Sequence, residues 1–352
     1  IRYPCIAFKQ TAPHIKLPSR RYIVYVNPFS GQGKAVEMYN GPVRSMLAEA
    51  EVKHKMIKTK YAGHAKEMVK EVNLSDCDGI IIVSGDGLVH EVINGLMERK
   101  DWKTAIKTPI GIVPGGSGNA LAASVIYAST GQEVSSNIVR DSMFEISRGR
   151  WREMSLMQAE MGDRTFYSFL NFGWGFVADV DIESEKYRNL GKARFTVGCA
   201  VRVANLRKYH GMISYLPHST TPKKLQVKPV TPSHKHLKSL NEPLPEGWVS
   251  LEDNFVWIMP VYLSHIGHDM LAMPASKMED KVIYLYCLKS TVSKMKLAQV
   301  LLGFEDGSHL TEGGQHVMVI PCKAFRLEPF CSHTGYMTVD GELIPHEPLQ
   351  GQ

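Results

Sequence analysis

Residues 78–99 read DGIIIVSGDGLVHEVINGLMER. The run of β-branched residues from Ile80 to Val83 predicts a buried strand that ends where the glycines begin. The two glycines on either side of Asp86 predict a tight turn, and VHEVINGLMER after it predicts a helix. This strand–turn–helix unit should present Asp86 at the carboxyl end of a strand, where open α/β sheets bind their ligands.

The same alternation of strand and helix extends on both sides of this unit. It predicts a parallel sheet covered by helices on both faces. Right-handed crossovers then bring the carboxyl ends of all the strands, and the loops that follow them, to one edge. The predicted strands are RYIVYV before Asn27, 52–59 and 110–114, and the predicted helices are 35–50, 63–72 and the stretch after Asn119.

After about residue 140 the pattern changes to apolar strands without helices between them. This style predicts antiparallel sheets, most simply a sandwich. Helices are expected to interrupt it at 183–208 and 291–305. Strands are expected within 143–161, 164–180, 280–290, 317–329 and 335–345.

We therefore predict an N-terminal α/β domain at 1–145 and a C-terminal β-sandwich domain at 146–352. Within the second domain, the segment near 183–208 would be a lid helix. The stretch between Leu216 and Gly247 holds six prolines and five lysines with few apolar residues, which predicts an exposed, mobile loop.

Composition favours a globular protein that meets anionic partners. Of 352 residues, 44% are hydrophobic and 22% charged, and the formal net charge is +6. No apolar run reaches the 18 or so residues that a membrane span needs. The six cysteines show neither a CxxC pair nor zinc-ligand spacing, so we expect reduced thiols, no protein metal centre and a cytoplasmic location. The first residues do not resemble a signal peptide.

Three loops rich in glycine follow three of the predicted strands: 27–34 (NPFSGQGK), 84–87 (SGDG) and 114–119 (PGGSGN). Glycines let backbone N–H groups point at an anion, and a helix N-terminus adds positive potential. One such loop could equally be an ordinary turn, with Asp86 as the N-cap of its helix. Three at neighbouring strand ends predict a cleft for nucleotide phosphates.

Two familiar phosphate-binding motifs are absent from the first loop. A Walker A loop needs Gly where Pro28 stands and Ser or Thr where Ala35 stands. A dinucleotide GxGxxG motif fails because Val36 occupies the place of the third glycine. The cleft is therefore predicted to belong neither to a P-loop ATPase nor to an ordinary dehydrogenase.

Taken in order, NPFSGQGK, SGDGLVHEVINGL, PGGSGNALA, ADVDIESEKYRNLGKARFTVG (178–198) and TVDGE (338–342) resemble the sphingosine kinase family. The SGDG and GGSGN loops alone are similar to the wider group of diacylglycerol-, ceramide- and NAD-kinase-like enzymes. Within this group, the stretch 174–198 indicates the enzymes that act on sphingoid bases. It implies ATP-dependent phosphorylation of the primary hydroxyl of sphingosine-like bases to give sphingosine 1-phosphate, with Mg²⁺ carrying the charge of the nucleotide.

The resemblance also implies roles for single residues. Asp86 would be the catalytic base that takes the proton of the attacking alcohol. Arg188 and Arg194 would reach the triphosphate, for which the guanidinium fork is suited. The implied nucleotide contacts are Asn27, Pro28, Phe29, Thr59, Lys60, Tyr61, Ala62, Gly63, Glu91, Gly116, Ser117, Gly118, Arg188, Arg194, Asp340, Gly341 and Glu342. The implied substrate contacts are Ser84, Gly85, Asp86, Gly87, Asp181, Phe176, Val177, Val180, Phe195 and Thr196.

Substrate selection should depend on Asp179 and Asp181. Read as a strand, this segment points both carboxylates to one side, opposite Val180. A carboxylate that faces the amine of a sphingoid base would explain selection against ceramide, whose nitrogen is an uncharged amide, and against diacylglycerol, which has none. By resemblance, Asp181 is this residue; two ordinary loop carboxylates are the alternative.

The segment 183–208 holds seven Lys or Arg residues interleaved with apolar ones. It is either an ordinary amphipathic helix or a lid that touches anionic membrane weakly and reversibly. We therefore expect peripheral membrane association and no nucleic-acid partner, and a homodimer is left open. The competing functions are a ceramide or diacylglycerol kinase of the same fold, an NAD kinase, or a non-catalytic lipid-binding scaffold.

Overall fold

In a computed structural model, the chain is described for residues 20–31, 33–191, 193–218, 237, 239–330 and 335–352, without the side chain of Arg188. Its first half is built on a four-stranded parallel sheet with the order β2–β1–β3–β4. Every residue of the third strand is buried, as its unbroken apolar run predicts. The strands are β1 (Arg21–Val26), β2 (Lys53–Lys58), β3 (Gly79–Ser84) and β4 (Ile110–Pro114).

Helices cover both faces of this sheet, as predicted. On one face lie α1 (Ala35–Met38), the π-helical turn Tyr39–Val43, α2 (Arg44–Glu49) and α7 (Ile138–Arg148). On the other face lie α3 (His64–Glu71), α4 (Asp86–Met97), α5 (Trp102–Ala105) and α6 (Ala120–Thr130).

The prediction of a strand from residue 143 is wrong in its first part, because Met143 to Arg148 complete α7. Val139, Met143 and Ile146 recur at helical spacing and pack on the sheet, and this burial outweighs the local preference for strand. The proposed domain boundary at 145/146 falls inside this helix, and the boundary stays a prediction.

The second half contains a large antiparallel sheet, and the predicted fold class is confirmed. The long strands β9 and β13 each pair with β8 along one part of their length and with β12 along the other. Pairing therefore closes around β8, β9, β12 and β13, and apolar side chains fill the space between. The strands are β5 (Met157–Met161), β6 (Arg164–Ser168), β7 (Phe172–Gly175), β8 (Tyr209–Pro217), β9 (Val249–Val261), β10 (His265–Gly267), β11 (Met270–Leu271), β12 (Ile283–Lys289), β13 (Val317–Pro329), β14 (Met337–Val339), β15 (Glu342–Ile344) and β16 (Leu349–Gly351).

Helices pack on the outer face of this sheet over a second apolar layer. The expected lid begins earlier than predicted, because a glycine with φ of +92° at Gly175 ends β7 and the chain turns directly into a helix. The helices are α8 (Phe176–Glu183), the 3₁₀ segment Ser184–Leu190, α9 (Ala193–Ala204), α10 (Lys294–Leu302) and α11 (His309–Glu312), followed by a 3₁₀ turn at Gly314–His316.

The strand expected at FVADV is therefore wrong, and with it the inference that Asp179 and Asp181 share one side. On a helix, side chains two residues apart are separated by about 200° around the axis, so they point in nearly opposite directions. Each carboxylate accordingly meets a different set of neighbours, described below.

The two halves share one apolar core. Phe169, Leu170, Leu263 and Met278 from the second half pack among the buried side chains of β3, α4 and α6. The expected mobile loop near 216–247 lies largely outside the described residues, and its first two residues belong to β8. Among the helices of the described ranges, none is long and apolar enough to span a membrane.

Candidate active site

The three glycine-rich loops meet backbone to backbone at the carboxyl edge of the parallel sheet. A Cβ placed on Gly116 would stand 2.4 Å from the Cα of Gly85, and one on Gly31 would stand 2.7 Å from the carbonyl oxygen of Gly115. The hydroxyl of Ser30 also donates to that carbonyl at 2.8 Å. The loops can approach so closely only because glycine lacks a side chain.

Asp86 begins α4, but its carboxylate accepts hydrogen bonds from another helix, α6. Its two oxygens accept the backbone N–H groups of Ala120 at 2.9 Å and Leu121 at 3.1 Å, at the start of α6. The alternative in which Asp86 caps its own helix is thus wrong. Burial raises the pKa of Asp86, the two N–H donors oppose the rise, and the charge of Asp340 adds to it.

Asn119 fixes the shape of the GGSGN loop. It has φ of +58°, and its side-chain oxygen accepts the N–H of Gly116 at 2.8 Å while its amide nitrogen donates to the Gly116 carbonyl at 2.9 Å. Gly116 is held in place, whereas Ser117 beside it is exposed. Asn119 belongs to the PGGSGN motif, but the sequence analysis predicts no role for it. An Asn that follows glycines and comes just before a helix indicates a residue with positive φ that shapes the loop.

Several of the predicted nucleotide contacts lie on two turns, at 27–29 and 59–63, and on Glu91 of α4. The carboxylate of Glu91 accepts the N–H of Ala65 at 3.1 Å, so it holds the first turn of α3, which follows the 59–63 turn. Thr59 is buried, whereas Tyr61 is 54% exposed and Phe29 is 69% exposed. Two aromatic rings are therefore available at the predicted nucleotide cleft.

The turn of Asn27, Pro28 and Phe29 is closed by a side chain. The side-chain oxygen of Asn27 accepts the N–H of Phe29 at 3.0 Å, while the Asn27 N–H donates to Val83 at 3.3 Å. This turn is therefore tied to the strand that carries the SGDG loop.

Asp340 lies in the turn between β14 and β15 and is 2% exposed. Its carboxylate accepts the hydroxyl of Ser168 at 2.6 Å and the Nδ1–H of His90 at 2.8 Å. It also accepts three backbone N–H groups, from Phe169, Leu170 and Asn171 at 3.0–3.3 Å. The residue predicted to contact the nucleotide therefore has its carboxylate engaged by five protein donors.

His90 and Asn94 join α4 to the second half of the chain, and sequence reasoning missed both. Burial opposes the charge of His90, but the hydrogen bond and the charge of Asp340 hold its pKa above the usual value. The Asn94 amide forms two hydrogen bonds with the backbone of Tyr167, at 2.8 and 2.9 Å. The signal was their spacing, since Asp86, His90 and Asn94 are four residues apart and share one helix face.

Glu342 and Asp181 gather at the same turn as Asp340. A Cβ on Gly87 would lie 2.5 Å from a carboxylate oxygen of Glu342, and one on Gly341 would lie 3.5 Å from Oδ2 of Asp181. The turn thus connects the loop of Asp86 to Asp181. Burial raises the pKa of Asp181 to about 6, and it raises that of Glu342 as well, with neighbouring carboxylates adding to each.

Asp179 and Asp181 have opposite environments. Asp179 is fully buried and accepts from Tyr209 at 2.6 Å, Arg207 at 2.8 Å and the N–H of Tyr336 at 2.8 Å. Asp181 has a side chain that is 30% exposed and makes a looser ion pair, at 3.5 Å, with Arg194. Asp179 is a structural anchor, while Asp181 can meet a ligand.

Arg194 lies in the first turn of α9 with a side chain that is 8% exposed. Its guanidinium pairs with Glu185 and Asp181 and lies over the ring of Phe195. Arg188, also predicted to reach phosphate, belongs to the 3₁₀ segment, and its side chain lies outside the described part of the chain.

The predicted lipid contacts fall mostly on one apolar layer. Phe176 and Val180 are buried, and Val177 and Phe195 pack against the same layer beside Trp257. Val177 and Asp181 are one helical turn apart, so the carboxylate stands at the border of this layer. Thr196 is exposed and does not belong to it. Ser84 is buried at the end of β3.

Comparisons with known proteins identify the family of this chain. Residues 21–158 match the family model of the diacylglycerol kinase catalytic domain. The chain is 40% identical over 338 residues to sphingosine kinase 1 of Mus musculus, covering 94% of this chain and 88% of that protein. It is 34% identical to sphingosine kinase 1 of Arabidopsis thaliana, covering 92% and 68%. The chain belongs to the sphingosine kinase family.

This confirms the resemblance seen in the sequence and the expectation of a lipid kinase. A putative diacylglycerol kinase from Bacillus anthracis superposes with a TM-score of 0.65 at 22% identity, over 96% of this chain and 95% of that one. At this level of identity the match supports the fold alone.

Gly116 gives a first testable prediction. Because a Cβ on Gly116 would press on Gly85 next to Asp86, we expect Gly116→Val to lower kcat and to raise the KM for ATP far more than that for the lipid. Steady-state kinetics test this, with Gly41→Ala as control, since a Cβ there meets nothing within 4 Å. An unchanged kcat would contradict the predicted contact.

The two aspartates of α8 give a second prediction. Asp179→Asn should lower the melting temperature sharply, because breaking a buried ion pair costs about 3–5 kcal/mol. The raised pKa of Asp181 means that folding disfavours its charged form, so its charge destabilises the fold at neutral pH. Asp181→Asn should therefore leave the melting temperature unchanged or higher. Equal decreases in thermal unfolding of both variants would contradict this assignment.

Proposed function

We propose that the protein transfers the γ-phosphoryl group of ATP to the primary hydroxyl of sphingosine and related sphingoid bases, giving sphingosine 1-phosphate. The observation that carries the proposal is that Asp86 and Asp181 stand on the two sides of one turn. Glu342 of that turn lies close to Gly87, and Gly341 lies close to Asp181, because a Cβ added to either glycine would stand 2.5 Å or 3.5 Å from the respective carboxylate oxygen. A sphingoid base has its reacting hydroxyl and its amine on adjacent carbons, so its headgroup would be bound between the two carboxylates.

The nucleotide would lie along the three glycine-rich loops. The exposed backbone around Gly116, Ser117 and Gly118 and the N-terminus of α6 offer N–H groups to phosphate oxygens. Phe29 and the 59–63 turn would border the adenine base. Glu91 holds the first turn of α3, which follows the 59–63 turn. Because the Asp340 carboxylate already accepts five hydrogen bonds from the protein, Asp340 would act by fixing the turn on which Gly341 and Glu342 face the nucleotide.

Asp86 would accept the proton of the alcohol as it attacks the γ-phosphoryl group. Burial raises its basicity toward the range useful for a general base, while the two N–H donors of α6 fix the orientation of the carboxylate. The remaining demand on the protein is to align the reactants, since phosphoryl transfer depends mostly on positioning and charge stabilisation.

Mg²⁺ would enter this site bound to the phosphates of the nucleotide. Within the described ranges, no group of three or more His, Cys, Asp or Glu residues could hold a metal ion. Mg²⁺ bound by phosphates needs only one or two protein carboxylates. The crowding of Asp86, Asp340 and Glu342, with the raised pKa of Asp86 and Glu342, fits such a cation, which would neutralise phosphate charge.

Asp181 would bind the amine, and the lipid tail would run from there along the apolar layer of Phe176, Val177, Val180 and Phe195. Ceramide or diacylglycerol, the alternative substrates of this fold, carry no cation for Asp181 to bind. We further propose that the lipid is taken from an anionic membrane surface by reversible contact, in the cytoplasm.

Asp86→Asn tests the catalytic base. We expect turnover to fall by roughly 100-fold or more, because the amide cannot accept the proton. Affinity for a non-hydrolysable ATP analogue should change little. Asp101→Asn, at an exposed carboxylate before α5, is the control and should keep full turnover. Near-normal turnover of the Asp86 variant at saturating substrates would exclude Asp86 as the base.

Asp181→Asn tests substrate recognition. A contact between charged groups is worth about 1.5–3 kcal/mol, so kcat/KM for sphingosine should fall roughly 10- to 100-fold, with little change for an N-acylated analogue. The carboxyl is charged above pH about 6 and neutral below. In the native protein, kcat/KM for sphingosine should therefore decline as the pH falls through about 6.

The Asp181 variant should lack that part of the pH profile. Equal losses of kcat/KM for charged and uncharged lipids, or a pH profile unchanged by the substitution, would refute amine recognition by Asp181.

A further inference from the structure

Among the described residues, Arg194 is a cation that pairs with Asp181. Its guanidinium stands 3.5 Å from the Asp181 carboxylate, pairs more closely with Glu185, and donates to the hydroxyl of Ser184 at 3.2 Å. These contacts pin the first turn of α9 to the end of α8 and to the 3₁₀ segment. A protein cation thus stands beside Asp181 at the place where the substrate amine is proposed to bind.

The position of Arg194 is electrostatically unfavourable apart from these pairs. A cation in the first turn of a helix opposes the helix dipole. Around Asp181, Arg194 favours the charged carboxylate, while the carboxylates of Glu185 and Glu342 oppose it. A second cation arriving at Asp181 would therefore weaken the hold on Arg194.

We propose that the substrate amine and Arg194 compete for Asp181, so that a bound sphingoid base frees Arg194 to bind the nucleotide phosphates. The inference rests on the proposed function, in which Asp181 receives the amine. Arg194 then acts as a positioning residue that links the two substrates. Without lipid, Arg194 is held by carboxylates; with lipid, its guanidinium fork can turn to the triphosphate, the strongest anion in the cleft.

Such a link is reciprocal, because each ligand must change the affinity for the other by the same factor. A lipid that carries a cation should strengthen nucleotide binding, whereas a lipid of the same shape without the charge should not. The arrangement would also limit ATP hydrolysis by water, since the phosphates would lack one of their cationic contacts until the correct lipid is present.

The experiment measures binding of the Mg²⁺ complex of a non-hydrolysable ATP analogue to the full chain by calorimetry. It is done without lipid, with saturating sphinganine, and with saturating octadecane-1,2,3-triol, which has a hydroxyl in place of the amine. Sphinganine should tighten nucleotide binding about 10-fold, within the range usual for coupled sites, and the triol should not. Equal tightening by both lipids, or none by sphinganine, would overturn the inference.

Two variants test the residue. Arg194→Gln should remove the coupling, so that sphinganine no longer affects nucleotide affinity. Arg207→Gln is the matched control, because Arg207 also pairs with two carboxylates of α8, Asp179 and Glu183, at the far end of the lid. It should lower thermal stability yet keep the coupling. Retained coupling in Arg194→Gln, or its loss in Arg207→Gln, would contradict the role of Arg194.

The comparison of the two lipids on the native protein decides the question even where Arg194→Gln does not fold. Phosphorylation of sphinganine by the native protein with ATP is measured alongside. Its absence would refute the proposed function itself. Phosphorylation without coupling would refute only the competition between the amine and Arg194.

Discussion

The buried carboxylate of Asp340 is the interaction on which the arrangement of the site depends. It collects five donors: the hydroxyl of the last residue of β6, three backbone N–H groups between β6 and β7, and His90 of α4. Removing such a carboxylate would leave several buried donors unsatisfied, each costing about 1–3 kcal/mol. Because the donors come from both halves of the chain, the same contact fixes the Gly341–Glu342 turn against the helix that begins with Asp86.

Helix α4 distributes this constraint to the rest of the cleft. Asp86 holds the start of α6, Glu91 holds the start of α3, and Asn94 holds the backbone of β6. One rigid helix therefore sets the position of the GGSGN loop, of the turn proposed to border the adenine, and of the second sheet. A small shift of α4 would move all three at once, which suits a reaction that depends on alignment.

Three carboxylates of the site, Asp86, Asp181 and Glu342, have a raised pKa, because burial and the charges of neighbouring carboxylates disfavour their charged forms. Such a cluster lowers the stability of the free protein, and it is relieved by ligands that bring cations. An amine on the lipid and Mg²⁺ on the nucleotide are the two cations that the proposed reaction supplies.

The sequence alone determined the parallel sheet and its three glycine-rich loops, because unbroken apolar strands and glycines act locally. It also determined the family, through motifs whose order is specific. Only the tertiary structure decided that Asp179 is an anchor while Asp181 is open to a ligand. The sequence pattern of FVADV predicts a strand, whereas the chain turns at Gly175 and continues as a helix. The tertiary structure likewise revealed His90 as the partner of Asp340, a contact between residues 250 positions apart that no local pattern encodes.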